Sequence, residues 1–222
     1  MTLRPVAHIE NDFATKFGLP RQSGLGSKLL SHVVLEKEYA REDYLRGIDE
    51  FSHLWLLWGF DVPDSRKATV RPPRLGGNER RGVFATRSPF RPNPLGLSVV
   101  KLEETRVTEG QAFLTVSGAD MKDGTIIYDI KPYLPYADAV TGACGGFAEA
   151  HAKDRLNVVF PDDLKAKVDP QKLDALIQTL SLDPRPQYQR DPERVYGFLY
   201  GGRDVRFRVD ADTLIVVEIA EV

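Results

Sequence analysis

Residues 53–60 read His-Leu-Trp-Leu-Leu-Trp-Gly-Phe, a run that is apolar almost throughout. Apolar side chains occupy both alternating faces, which predicts a central strand that is covered on each side. The Gly- and Pro-rich loops around it separate shorter runs rich in β-branched and aromatic residues, at 4–9, 31–35, 82–85, 97–102, 112–116 and 125–133. Their spacing predicts a closed or nearly closed β-barrel.

The composition changes after residue 140. The stretch Thr141-Gly142-Ala143-Cys144-Gly145-Gly146 is small and flexible, and we interpret residues 141–156 as a linker. We therefore expect two domains, a barrel over residues 1–140 and a smaller unit over residues 157–222.

The smaller unit combines a helical pattern with three strand patterns. Apolar residues recur at helical spacing from Leu173 to Leu180, after an Asp169-Pro170 start signal. Alternating runs separated by turn residues follow at 195–200, 205–209 and 214–219. The expected fold is thus mainly β, a small closed barrel followed by an α+β domain in which a helix packs on a three-stranded antiparallel sheet.

Composition excludes several classes of site. The 222-residue chain carries a net charge of −2, four histidines and one cysteine. With a single thiol, Cys144, and no pair of histidines at ligand spacing, the sequence predicts neither a disulfide nor a metal site. The start, Met-Thr-Leu-Arg-Pro, lacks an apolar signal core, and no apolar stretch approaches the roughly 20 residues that span a bilayer. We expect a cytoplasmic protein without a membrane partner.

The common nucleotide and hydrolase signatures are missing. The sequence contains no Gly-x-Gly-x-x-Gly after a strand, no P-loop and no Gly-x-Ser-x-Gly elbow. Dinucleotide, nucleoside triphosphate and serine hydrolase interpretations therefore lose their main support.

Positive charge is concentrated in one segment. Between Arg66 and Arg91 there are eight basic residues, against Glu79 as the single acid. Phosphate binding depends on local potential, so a basic face can coexist with an overall negative charge. The segment is either an RNA-binding face or an ordinary solvated loop.

Two loops have the composition of a binding site. In residues 85–98, three prolines stiffen a backbone that also carries Arg87 and Arg91, which suits an anionic or nucleotide-like ligand or, alternatively, a plain barrel crossover. In residues 118–125, Asp123-Gly124 predicts a tight turn. Asp129 and Lys131 in the following strand share one face. If that face points into the barrel, they form either a buried structural ion pair or part of a polar site.

These stretches together resemble a family of tRNA methyltransferases, the TsaA-like or TrmO family, which N6-methylates threonylcarbamoyladenosine beside the anticodon. The resemblance covers nearly the whole chain. It rests on Phe17-Gly18-Leu19-Pro20-Arg21-Gln22, Phe51-Ser52-His53-Leu54-Trp55, Arg71-Pro72-Pro73-Arg74-Leu75-Gly76-Gly77-Asn78, Gly82-Val83-Phe84-Ala85-Thr86-Arg87-Ser88, Phe90-Arg91-Pro92-Asn93-Pro94, Asp123-Gly124-Thr125, Asp129-Ile130-Lys131-Pro132-Tyr133 and Asp183-Pro184-Arg185-Pro186 with Tyr188.

The resemblance implies a β-barrel that binds S-adenosylmethionine, a homodimer with each cofactor near the subunit interface, and a C-terminal domain used on tRNA. Carried over residue by residue, the cofactor contacts are Pro20, Arg21, Gln22, His53, Leu54, Arg87, Leu97, Lys122, Asp123, Gly124 and Thr125.

The RNA contacts are predicted from charge and stacking capacity. They are Arg71, Arg74, Arg91, Arg185 and Tyr188. Methylation of N6 releases a proton, so a carboxylate could act as general base. Asp129 and Asp123 are the candidates for this role.

Two other functions stay open on the sequence. One is an S-adenosylmethionine-dependent methyltransferase that acts on a small molecule, and the other is a non-catalytic module that binds a nucleotide or RNA. Cofactor binding separates the enzymes from the module, and transfer of a methyl group to tRNA separates the two enzymes.

Overall fold

The structure is a computed structural model of the chain. It describes residues 2–62, 66–72, 79–151, 154–185 and 191–222. Two of the predicted RNA contacts, Arg74 and Tyr188, lie outside the described residues.

The N-terminal part forms the predicted closed barrel. Its six strands follow the order β1-β2-β7-β6-β3-β8, and β8 pairs with β1 to close the ring. Every neighbouring pair is antiparallel. The strands are β1 (Ala7–Glu10), β2 (Leu30–Leu35), β3 (His53–Gly59), β6 (Leu95–Thr108), β7 (Gln111–Ser117) and β8 (Ile126–Pro132).

The predicted central strand is β3, but only one of its faces is buried. Leu54, Leu56 and Trp58 point into the barrel core, whereas Trp55 and Leu57 on the other face are half-exposed. The prediction that both faces are covered was wrong for the outer face, which is only partly covered: there Trp55 packs near Tyr133 and donates a hydrogen bond to Asp138. Apolar residues on that outer face therefore require another explanation.

Short elements lie between the barrel strands and just after the last of them. A two-stranded ribbon pairs β4 (Thr69–Val70) with β5 (Arg81–Gly82), and a 3-10 turn covers Val83–Ala85. The strand predicted at 82–85 was therefore wrong beyond its first residue. Two helices of a single turn are α1 (Glu42–Leu45) and α2 (Pro135–Asp138).

The predicted linker connects the barrel to the C-terminal sheet. It contains a 3-10 turn at Gly146–His151, and the thiol of Cys144 is exposed and free. In the described part of the chain, no helix has both the length and the apolar character needed to cross a membrane.

The C-terminal part contains the predicted helix and antiparallel strands. Helix α4 (Pro170–Ser181) begins where the side chain of Asp169 accepts a hydrogen bond from the backbone N–H of Gln171 at 2.9 Å. One single-turn helix, α3 (Asp162–Lys165), precedes it. The strands are β10 (Tyr196–Tyr200), β11 (Arg203–Asp210) and β12 (Thr213–Glu221), and a fourth, β9 (Asn157–Val159), pairs parallel with β12. The fourth strand was not predicted.

The two parts share a core through the segment between β1 and β2, residues 11–29. Phe13 and Leu29 are buried among C-terminal residues, and the Phe13 ring lies 5.1 Å from that of Tyr200. Two ion pairs also join the two parts: Lys172 Nζ lies 2.5 Å from the Asp12 carboxylate, and Lys28 Nζ lies 2.7 Å from the Asp174 carboxylate. This segment also carries the predicted cofactor contacts Pro20–Gln22, so the C-terminal domain supports the candidate site.

Candidate cofactor site

The structure brings two predicted cofactor residues into direct contact. Nη1 of Arg87 donates a hydrogen bond of 2.6 Å to Oε1 of Gln22. Arg87 belongs to the proline-rich loop before β6, and Gln22 belongs to the segment that packs on the C-terminal domain. The contact fixes a guanidinium group at the surface where these two loops meet.

A half-buried carboxyl, Asp120, lies close to the Arg87 guanidinium. It accepts a 2.5 Å hydrogen bond from Ser98 Oγ and another from the backbone N–H of Ser23. Burial raises the pKa of Asp120, while the Ser98 and Ser23 hydrogen bonds and the nearby Arg87 act in the opposite direction. The centre of the site therefore holds a carboxyl group next to a guanidinium.

The turn at residues 122–125 is held by the N-terminal segment. The backbone N–H of Asn11 donates to the Asp123 carboxylate at 3.0 Å, and the N–H of Asp123 donates to Phe13 O at 2.9 Å. Gly124 has a φ of +73°, a left-handed conformation that the predicted Asp-Gly turn requires. Thr125 is buried, and its hydroxyl donates to Lys122 O at 2.7 Å.

Lys122 lies at the edge of this turn. Its ammonium contacts Asp61 at 3.0 Å, and this contact lowers the pKa of the Asp61 carboxyl. Lys16 also donates to the backbone oxygen of Asp61. The Lys122 side chain thus joins the turn to the end of β3.

Three other predicted cofactor residues are separated along the barrel wall. Leu97 is 54% exposed on the outer face of β6, whereas the Leu54 side chain is fully buried in the barrel core and leaves only its backbone for a ligand. In the β3–β6 register His53 faces Lys101 and Leu57 faces Leu97, so His53 lies four residues along the strand from Leu97. At about 3.3 Å per residue this separation is roughly 13 Å.

Arg21 contacts the C-terminal domain. Its Nη2 donates to the backbone oxygens of Asp183 and Arg185 at 3.1 and 2.8 Å. Pro20, beside it, is buried. The described contacts of Arg21 therefore position its loop.

The described RNA candidates differ in exposure. Arg71 is exposed, while Arg91 is half-buried and donates to Thr86 O at 3.0 Å. The Arg185 side chain is only 14% exposed, and its Nε bonds Asp183 Oδ1 at 3.0 Å. Of these three arginines, Arg71 is the one whose side chain the structure leaves most open to an RNA.

The two candidate bases hold local contacts. Asp123 stabilises its turn, as described above. Asp129 pairs with Lys131 at 3.1 Å, and both side chains are substantially exposed, so this pair lies outside the barrel interior. The alternative of a buried ion pair is therefore wrong.

A separate cavity of about 280 Å³ lies in the C-terminal domain. It is lined by residues of the α3–α4 connection, of α4 and of β10–β11, including Lys167, Lys172 and Arg203, and by none of the predicted cofactor contacts. Among the described side chains, no group of three or more His, Cys, Asp or Glu is placed to hold a metal ion.

Two family models match the chain. The tRNA-methyltransferase O N-terminal domain matches residues 8–139, and the TrmO C-terminal domain matches residues 153–222. The chain belongs to the TrmO family.

Whole-chain relatives of the TrmO family agree with this match. The chain is 37% identical over 211 residues to the tRNA (adenine(37)-N6)-methyltransferase of Escherichia coli, covering 90% of each chain. It is 45% identical over 175 residues to the enzyme of the same name from Eikenella corrodens, covering 78% of this chain and 98% of that one. The crystal structure of TrmO from Pseudomonas aeruginosa superposes with a TM-score of 0.80 at 32% identity, covering 99% and 98% of the two chains.

The side chains present fit the cofactor that the TrmO family implies. S-adenosylmethionine has a carboxylate, an ammonium and sulfonium charge, and an apolar aromatic base. Arg87 offers a charge-assisted donor, Asp120 offers a carboxylate, and Leu97 and Phe84 offer exposed apolar surface nearby in the chain. These side chains together can contact both the charged and the apolar parts of the ligand.

Sequence reasoning on the TrmO motifs missed Asp120, Ser98 and Trp58. Asp120 was visible in the loop at 118–125, two residues after Gly118, but its hydrogen-bond partners are remote in sequence. Trp58 Nε1 donates to Ser98 Oγ at 2.9 Å, although Trp58 was interpreted only as core and Ser98 only as the last residue of the 85–98 loop, within the run at 97–102. A polar residue, Ser98, within an otherwise apolar strand was the available signal.

Proposed function

We propose that the polar cluster of Gln22, Arg87 and Asp120 is the cofactor site of a tRNA methyltransferase. The chain is a TrmO-family enzyme that N6-methylates adenosine 37 of tRNA with S-adenosylmethionine. The observation that carries the site assignment is the 2.6 Å Arg87–Gln22 hydrogen bond, because it joins two loops that the sequence motifs assign independently to the cofactor.

S-adenosylmethionine, when bound, supplies a methyl group that its sulfonium has already activated. The protein's tasks are therefore to orient the acceptor nitrogen and to exclude water. Arg87 is suited to hold the methionine carboxylate, and the Gln22 amide oxygen keeps the guanidinium in one place. Pro89, Pro92 and Pro94 restrict the loop that carries Arg87, so little ordering is left for binding.

The acceptor we propose is N6 of threonylcarbamoyladenosine. This nitrogen belongs to a urea-like group, so its lone pair is delocalised and its proton must leave during or before attack. Asp123 and Asp129 stay the candidate bases, since each carries an exposed carboxylate oxygen in or next to the site motifs. The turn contact from Asn11 leaves Asp123 accessible to a substrate.

The tRNA is held, in this proposal, by the basic segment and the C-terminal domain. Arg71 and Arg80 present exposed guanidinium groups in the basic segment. Phosphate contacts of this kind position an RNA without reading its sequence. Arg74 and Tyr188 complete the proposed contacts, with Arg91 and Arg185 supporting the loops beside them. A tRNA substrate places the enzyme where tRNA is, and we propose the cytoplasm.

The proposal includes a homodimer with the cofactor near the subunit interface. Phe84 is 78% exposed and Leu97 is 54% exposed, on either side of Arg87 in the chain. Exposed apolar surface of this kind is typical of an interaction site. A two-fold contact across the outer face of β3 and β6 also accounts for His53, which then serves the site of the opposite protomer. Sedimentation velocity on Phe84→Asp, expected to shift the protein toward monomer, tests this face.

The decisive experiment for the function is nucleoside mass spectrometry. Purified protein, S-adenosylmethionine and tRNA that carries the threonylcarbamoyl modification are incubated, and the nucleosides are then analysed. We expect threonylcarbamoyladenosine to gain one methyl group. Methylation of unmodified adenosine instead would refute the acceptor, and cofactor binding with no change in any tRNA nucleoside would favour a small-molecule substrate.

A further inference from the structure

Asp120 connects the three chain segments that make up the proposed cofactor site. Ser98, at the start of β6, donates to its carboxylate at 2.5 Å. The backbone N–H of Ser23, next to Gln22, donates to the same group, and the Arg87 guanidinium lies close enough to act on it electrostatically.

The Ser98 side of this arrangement is rigidly supported. Ser98 is fully buried and receives a 2.9 Å hydrogen bond from Trp58 Nε1, so its own hydroxyl proton is directed to Asp120. The Trp58 indole occupies the space beside Gly96, where any Cβ atom would overlap the ring. The absence of a side chain at residue 96 therefore makes room for the indole in this position, from which the hydrogen bonds run from indole to hydroxyl to carboxylate.

The Ser23 side is supported in the same way. Ser23 Oγ accepts a hydrogen bond from the backbone N–H of Val99 at 3.2 Å, while its own N–H donates to Asp120. Residue 23 is thus tied both to β6 and to the carboxylate. Because Gln22 immediately precedes it, the direction of the Gln22 side chain toward Arg87 depends on these two bonds.

Asp120 is costly as a structural residue. Burial raises its pKa, which means that the ionised form is less stable in the folded chain than in water despite its hydrogen bonds. A neutral side chain of the same size avoids that cost. A carboxyl whose ionisation is disfavoured, held by hydrogen bonds within a proposed ligand site, is typical of a functional group.

We propose that Asp120 is the positioning residue of the cofactor site. Its carboxylate holds Ser23 and Ser98 together and thereby fixes Gln22 and Arg87 in the geometry that receives the cofactor. This role rests on the proposed cofactor site. It acts through neighbouring residues and requires no contact of Asp120 with the methyl group.

The test compares Asp120→Asn with a matched control, Glu103→Gln. Glu103 also accepts a hydrogen bond from a buried serine of the barrel, Ser117, at 2.6 Å, but it lies five residues from Ser98 along β6. Each variant replaces a carboxylate by an amide of equal size. S-adenosylmethionine affinity is measured by calorimetry, and unfolding of the ligand-free protein is measured in urea.

For Asp120→Asn we expect the dissociation constant for S-adenosylmethionine to rise about tenfold to a hundredfold, which corresponds to about 1.4 to 2.8 kcal/mol. The ligand-free variant should be as stable as the wild type or more stable. Glu103→Gln should bind the cofactor like the wild type. This combination distinguishes positioning from a structural role, since a structural residue would lose stability together with affinity.

Three outcomes would overturn the role of Asp120. They are wild-type affinity in Asp120→Asn, a loss of affinity accompanied by a comparable loss of stability, and an equal loss of affinity in Glu103→Gln. Failure of the wild-type chain to bind S-adenosylmethionine is a separate result, which would refute the proposed site itself and the Asp120 role with it.

Discussion

Replacing Phe13 by alanine should weaken the fold and the cofactor site together. Phe13 belongs to the segment between β1 and β2, yet its side chain is 3% exposed within the C-terminal core. Its ring lies 5.1 Å from that of Tyr200 and 6.4 Å from that of Phe198. Truncation of a buried phenylalanine costs about 3 to 5 kcal/mol, a large share of the roughly 5 to 15 kcal/mol that stabilises a typical protein.

The effect on the cofactor follows from the backbone of the same residue. Phe13 O accepts the N–H of Asp123, the predicted cofactor turn, at 2.9 Å, and Pro20–Gln22 follow within the same segment. Loss of the Phe13 anchor therefore loosens both cofactor loops, and binding must then order them again. We expect weaker S-adenosylmethionine binding even at temperatures where the variant remains folded.

The assay is urea unfolding with and without cofactor, combined with calorimetric titration. Phe147→Ala is the control, because Phe147 is partly exposed in the linker region and its loss should cost about 1 kcal/mol or less. A cost for Phe13→Ala as small as that of the control, with unchanged cofactor affinity, would show that the two domains are not joined as the structure describes.

Three further predictions concern single charges. Arg87→Ala should weaken cofactor binding by about 1.5 to 3 kcal/mol in a calorimetric titration. The control is Arg80→Ala, which should leave cofactor affinity unchanged because the Arg80 guanidinium bonds Thr69 in the structure. Equal affinities of the two variants would contradict the Arg87 assignment. Because the pKa of Asp120 is raised above 3.8 in the folded chain, the folded state binds more protons there. The free energy of unfolding of the wild type relative to Asp120→Asn should therefore fall as pH rises from about 3.8 to that raised pKa, and a flat difference would show that the Asp120 carboxyl is not desolvated. Finally, the logarithm of the tRNA binding constant should fall linearly with the logarithm of salt concentration, with a slope of roughly −0.7 to −0.9 per phosphate contacted. Arg71→Ala should make this slope less steep by about one phosphate contact. An unchanged slope would show that Arg71 does not contact the RNA.

The barrel could be predicted from the sequence because each strand buries one face. In the run at 112–116 the apolar Ala112, Leu114 and Val116 all face the core, and the structure extends the strand only to Gln111–Ser117. Val83-Phe84-Ala85 has the same residue types, but its backbone closes a turn through Thr86 N–H and Val83 O at 3.1 Å. Strand propensity reflects how side chains pack more than which backbone conformation they adopt. A run of three such residues is therefore weak evidence for a strand.

Strand β9 and the Asp120 cluster could not be predicted for a common reason. Three residues, Asn157–Val159, are too few to show a period, and their partner β12 lies at the other end of the domain. The contacts of Asp120 with Ser23 and Ser98 likewise join segments far apart in the chain. Local patterns indicate which face of a strand is buried, but they carry no information on which distant polar groups meet at the end of a barrel.

The motif Asp183-Pro184-Arg185 shows how such long-range contacts change an interpretation. Its arginine was predicted to hold RNA, yet Arg185 Nε bonds both carboxylate oxygens of Asp183, at 3.0 and 3.2 Å. Asp183 itself has a φ of 54°, just after α4, and its N–H bonds Leu180 O at 3.2 Å, as in the left-handed residue that commonly ends a helix.

The left-handed Asp183 and its pair with Arg185 together aim two backbone oxygens at Arg21. The Arg21 guanidinium donates to both of these backbone oxygens, which lie just beyond the end of α4. The same contact anchors the loop that carries Gln22. Breaking the Asp183–Arg185 pair removes the restraint on both oxygens, so its first consequence falls on the cofactor loop of the barrel. At this motif the C-terminal domain therefore supports the cofactor site. Because the Arg185 side chain is paired with Asp183, contact with RNA requires other, more exposed side chains.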